Sequence, residues 1–78
     1  MMDLVKELNE MNYEAATEHL KKLGFEENYS FDDRKETVHD EDWSRGEDKI
    51  TFTCELIISE DEDILNRENG YWNIEGLR

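Results

Sequence analysis

Over the first 25 residues, apolar side chains recur every three or four positions. Leu4, Val5, Leu8 and Met11 form one stripe, and Tyr13, Ala16, Leu20 and Leu23 form a second. At 3.6 residues per turn, each stripe falls on one face of an α-helix. Asp3 and Asn12 stand where N-caps belong, since a short polar side chain there accepts from an unpaired amide of the first turn. Glu18 and Lys22, four positions apart, make a side-chain pair on the second stripe's polar side. Gly24 followed by Phe25 is a C-terminal stop, because glycine takes the left-handed conformation that ends a helix. The pattern predicts two short helices, or one helix broken at Asn12.

After Gly24 the period changes from 3.6 to 2, the mark of strands with one buried face. Ile50, Phe52, Cys54, Leu56 and Ile58 alternate with Thr51, Thr53, Glu55 and Ser59, with Ile57 as the apolar exception. This predicts a central strand. Ser44 to Glu47 are turn residues that join it to an antiparallel partner over 35–43, which looks too polar to be central. Tyr29 and Phe31 alternate as a short earlier strand, and Asn69-Gly70 precedes a last strand over 71–74. The expected fold is α+β, with an N-terminal helix or helix pair packed on a three- to four-stranded antiparallel sheet. It is expected as a single domain over residues 1–78, helical over 1–25 and strand-rich and acidic over 26–78. The sequence has no proline, internal repeat or Gly/Ser linker.

Charge alters this picture more than composition does. The 78 residues include 22 Asp or Glu and 9 Lys or Arg, a net charge of -13. Residues 1–25 hold five acids and three bases, net -2, which leaves seventeen acids and six bases, net -11, for residues 26–78. Small domains stay soluble with net charges of about 2 to 8, and larger values add self-repulsion, so the acidity itself is expected to be functional. Nucleic acid and anionic lipid would be repelled, which makes a basic protein surface the expected partner. Alternate residues on a strand repeat at about 6.6 Å, of the order of the step between backbone phosphates, so a row of carboxylates can imitate a nucleic-acid strand.

Candidate chemistry is sparse. Asp40 to Asp42 and Glu60 to Asp63 are carboxylate clusters, but neither has the alternating ligands, central glycine and twelfth-position glutamate of a calcium loop. His19 and His39 have no Cys or second His at a zinc spacing and are expected to be structural or exposed. Cys54 lies on the apolar parity of the central strand, where a buried, inert thiol is expected. With no nucleophile triad, no phosphate loop and little volume for a cleft, no enzymatic activity, cofactor or metal is expected. A lone cysteine, and no leader or long apolar run, point to a soluble cytoplasmic protein. The expected partner-binding residues are Asp40, Glu41, Asp42, Glu60, Asp61, Glu62 and Asp63, with Trp43 as a partly exposed aromatic anchor amid the acids.

The acidity spread over Asp32-Asp33, Asp40 to Asp42, Glu47-Asp48 and Glu60 to Asp63, in a short proline-free chain with no catalytic motif, resembles the small acidic inhibitors encoded by phages. Anti-CRISPR proteins and other DNA mimics are the examples. The resemblance lies in overall character and transfers no residue roles. It implies an inhibitor acting in the host cytoplasm that occupies the nucleic-acid-binding surface of a basic host protein. Two other classes share the composition: an immunity protein or antitoxin that neutralises a basic nuclease toxin, and a small cytoplasmic regulator or adaptor whose charge only solubilises it.

Overall fold

The structure, a computed structural model, describes residues 2–75. Among these residues the elements run α1 (Met2–Asn9), α2 (Tyr13–Lys22), β1 (Glu26–Asp33), β2 (Val38–Arg45), β3 (Asp48–Ile57) and β4 (Ile64–Ile74). The strands form one antiparallel meander in the order β1-β2-β3-β4. The helices cover one face of it, which is the α+β arrangement expected from the change of period.

The helix boundaries follow from local chemistry. The Asn12 side chain accepts from the Ala15 amide at 2.8 Å and so caps α2. Gly24, at φ +91°, ends the helix in a Schellman turn. In this turn the Phe25 amide donates to the Leu20 carbonyl and the Gly24 amide to that of Lys21. Phe25 and Leu20 then meet in the core, and Arg45 donates to the Leu23 carbonyl at 3.0 Å, tying the helix end to β2. Asp3 lies within the first turn of α1 instead of capping it; its charge still faces the positive end of the helix dipole.

Two expectations about the sheet are corrected. The polar segment expected over 35–43 runs instead over Val38–Arg45, so Ser44 and Arg45 pair within the sheet and the turn is only Gly46-Glu47. This strand is interior, because its acids are satisfied on both faces by hydrogen bonds described below. Asn69-Gly70 does not open the last strand but lies inside β4, which begins at Ile64. Gly70 sits where β4 passes closely over β3: a Cβ there would lie 2.2 Å from the Phe52 ring and 2.9 Å from the Cys54 Cβ. The β2–β3 hairpin closes through Gly46-Glu47 between paired Arg45 and Asp48. Gly46 takes φ +59°, as the first position of a tight two-residue turn requires.

The core lies between the helices and the inner sheet face. Val5 and Leu8 come from α1, Ala16 and Leu20 from α2, and Trp43, Ile50, Phe52, Cys54 and Trp72 from the strands. Phe52 packs against Tyr13 at 4.8 Å and Trp72 at 4.9 Å between ring centroids. Burying a side chain of this kind stabilises the fold by about 1.5–3 kcal/mol.

Candidate partner-binding face

Side chains alternate between the two faces of a strand, so register decides what each face presents. Trp43 pairs with Ile50, Glu41 with Phe52 and His39 with Cys54, all on the helix-covered face. The residues between them face outward and line up across the sheet in rows. One row reads Tyr29, Asp42, Thr51, Asn73, and the next reads Phe31, Asp40, Thr53, Tyr71. Beyond these come Asp33, Val38 and Glu55, and then the pair Ile57 and Ile64.

The centre of this outer face is polar but internally bonded. The Thr51 hydroxyl donates to Asp42 Oδ1 at 2.8 Å and the Thr53 hydroxyl to Asp40 Oδ1 at 2.7 Å. These bonds let two adjacent carboxylates sit on a flat sheet surface, where Asp40 is buried and Asp42 half-buried. Around them stand large apolar side chains open to solvent: Tyr29 is 57% exposed, Phe31 47% and Tyr71 45%. Tyr29 and Phe31 are stacked, with centroids 6.5 Å apart and planes within 12°. Among the described residues, five of the eight exposed large hydrophobics (these three, Ile57 and Ile64) belong to this one face. These apolar side chains border the polar centre from both sides, Tyr29 and Phe31 along β1 and Tyr71 and Ile64 along β4, with Ile57 at one end of β3.

The inner face holds a second polar constellation. Glu41 Oε2 accepts from Arg67 Nε at 3.1 Å and Nη2 at 2.9 Å and lies 2.8 Å from His39 Nε2; Oε1 accepts from the Tyr13 hydroxyl. His39 Nδ1 contacts Asp32, and the Arg67 guanidinium lies 4.7 Å from the Tyr13 ring centroid. Burial alone would push the Glu41 carboxyl up, but its bonds from Tyr13, Arg67 and His39 outweigh that and hold it below the usual carboxylate range. Burial and the Glu41 bond push the Tyr13 hydroxyl up. Burial also raises the Cys54 thiol to about 11, so the thiol form is retained at neutral pH. The cluster joins α2 to β2 and β4, with its charges already paired to one another.

The run Asp40 to Trp43 is therefore divided between the two faces. Asp40 and Asp42 reach the outer face. Glu41, 1% exposed, is engaged by Arg67 and its neighbours in the interior. The expectation of Trp43 as a partly exposed anchor is overturned: it is 3% exposed and packs edge-on against Trp72, with centroids 6.3 Å apart. Parity is the reason, since Trp43 shares the face of Ile50. Its Nε1, among the described residues, is buried without a hydrogen-bond partner. Glu60, Asp61 and Glu62 are exposed in the β3–β4 connection, and Asp63 pairs with Arg34 from the β1–β2 turn. No group of His, Cys, Asp and Glu among the described residues is placed to hold a metal ion, and no described helix is long and apolar enough to cross a membrane.

Tyr29, Phe31 and Tyr71 are the exposed aromatics of this face, and none of them was among the binding residues expected from the sequence. The alternation of Tyr29 with Phe31 signalled a shared side, but only the pairing of β1 with β2 puts that side above Asp40 and Asp42. Comparison with protein-family models, with curated proteins and with solved structures finds no match.

Proposed function

We propose that the protein is an acidic protein-binding inhibitor whose uncovered sheet face docks on the basic, nucleic-acid-binding surface of another protein. The observation that carries this reading is the outer face itself, where exposed Tyr29, Phe31 and Tyr71 border the Asp40 and Asp42 carboxylates. The aromatics supply area that is desolvated on contact, the contribution that dominates interface energies. The carboxylates and the net charge of -13 supply steering towards a positive surface. Asp40 and Asp42, two positions apart on a strand, repeat at about the 6.6 Å step that matches successive phosphates. The exposed acids Glu60, Asp61 and Glu62 extend the negative field beside the Ile57–Ile64 end of the same face.

The test is capture of partners from a lysate, followed by nucleic-acid competition on the protein recovered. Association should be fast and weaken steeply as salt rises, and nucleic acid should displace the inhibitor. Replacing Tyr29 and Phe31 together by serine should abolish capture while circular dichroism stays unchanged. A partner that holds its nucleic acid and this protein at once, with neither weakening the other, would refute surface mimicry.

A further inference from the structure

We infer that Tyr29 and Phe31, with Asp40 and Asp42 beneath them, form a slot for the flat guanidinium group of an arginine on the partner, an inference that rests on the docking reading above. The two rings are nearly parallel, 12° apart in plane, with centroids separated by 6.5 Å. Two carbon contacts of roughly 3.5 Å require parallel ring planes about 7 Å apart. The 6.5 Å centroid distance sets an upper limit on the present gap, so the two exposed rings part slightly to admit the group. The hollow lined by both rings and both aspartates has a volume of about 300 Å³ and opens to solvent. That is at the small end of ligand pockets, suited to a side chain more than to a metabolite.

The chemistry of the walls selects a cation. Aromatic ring faces carry the negative part of the quadrupole, and the floor is two carboxylates. A guanidinium satisfies both at once, because its faces stack on rings while its edge donates to carboxylate oxygens; an ammonium is a compact point charge that cannot fill a flat slot in the same way. The protein's own arginines show the same combination elsewhere. Arg67 lies over the Tyr13 ring while donating to Glu41, and Arg45 lies 4.6 Å from the Phe25 centroid while donating to Asp48 at 3.1 Å. On the outer face the rings and carboxylates are presented outward, within a surface whose charge favours a basic partner.

The test is an NMR titration of the intact protein with acetyl-arginine-amide and, separately, acetyl-lysine-amide. Saturable shifts of the Tyr29 and Phe31 ring protons are expected with the arginine compound. Affinity should be about tenfold weaker for the lysine compound and for Phe31→Leu, a change at an exposed position that keeps the fold. Equal responses to the two compounds, no ring shifts, or an unaltered response in Phe31→Leu would each overturn the slot. The docking reading is judged separately by nucleic-acid competition. If wild-type protein competes and Phe31→Leu competes equally well, the slot is wrong and docking stands. If arginine binds but no partner competes, the slot stands and the docking reading fails.

Discussion

Glu41 is a single carboxylate buried at 1% exposure, and it is kept ionised by Arg67, Tyr13 and His39. Glu41→Gln removes the charge from these bonds, but the Arg67 guanidinium it leaves behind is 40% exposed and can be re-solvated. The substitution is therefore expected to lower the stability measured by urea denaturation by about 1–3 kcal/mol. The pH dependence follows from the direction of each shift. Glu41 is depressed in the folded state, so its contribution is present above the unfolded value of roughly 4.3 and is lost as pH falls through the lower folded value. Tyr13 and Cys54 are raised, so theirs are complete below unfolded values of roughly 10 and 8.5 and are lost as pH rises through the folded ones. Melting temperature followed from about pH 3 to about pH 11 should fall on both flanks, with the acid flank flattened in Glu41→Gln. Gly70 is a steric counterpart. A methyl group 2.2 Å from the Phe52 ring forces the β3–β4 pair apart, and Gly70→Ala is expected to destabilise by roughly 3 kcal/mol. An unchanged melting temperature would show that Phe52 has room to move.

Among the secondary-structure elements, β4 is an edge strand, and its outward backbone is guarded at Trp72. The Asn9 side chain donates to the Trp72 carbonyl at 2.9 Å and accepts from the Trp72 amide at 2.6 Å, so the end of α1 stands in for one residue of a neighbouring strand. Two positions on, the Ile74 amide donates to Asn73 Oδ1 at 2.9 Å. Open strand edges invite pairing with other chains, and these amides are engaged within the chain. Asn9→Ala is expected to cost about 1–2 kcal/mol from two lost hydrogen bonds and to uncover the edge. Sedimentation should then show a concentration-dependent dimer; a strictly monomeric variant would mean that α1 blocks the edge by bulk alone. On β2 the same chemistry explains how a strand with the run Asp40-Glu41-Asp42 can be interior. One acid is bonded to Arg67, His39 and Tyr13, and the flanking two accept from threonines of β3.

For the molecule as a whole, thirteen uncompensated negative charges occupy a body of 38 × 21 × 19 Å. Repulsion over such distances acts within a few Debye lengths at low salt and is screened at high salt. Melting temperature is expected to rise between low salt and about 0.5 M salt, and partner binding to weaken over the same interval, because one field opposes folding and promotes association. A melting temperature that does not respond to salt would mean that the uncompensated carboxylates are too dispersed to repel one another appreciably.

Unlike the order of the strands, the helices, their break at Asn12, the stop at Gly24 and the β3 strand were legible in the residues. They depend on neighbours a few positions apart: a cap accepts from an amide three residues on, a glycine turns in place, and alternation is a property of one strand. The faces that the polar strands present depend on register with other strands, a relation between residues distant in sequence. For this reason Trp43, which follows three acids and reads as an exposed anchor, lies in the core opposite Ile50. Tyr29 and Phe31, which read as an isolated short strand, stand over Asp40 and Asp42. Glu41 is withdrawn from the acidic surface by Arg67, twenty-six positions away in the chain. The sign and size of the field come from summing charges and need no coordinates; which carboxylates can touch a partner follows from the pairing of β1 with β2 and β2 with β3, because one residue of register moves every side chain of a strand to the other face.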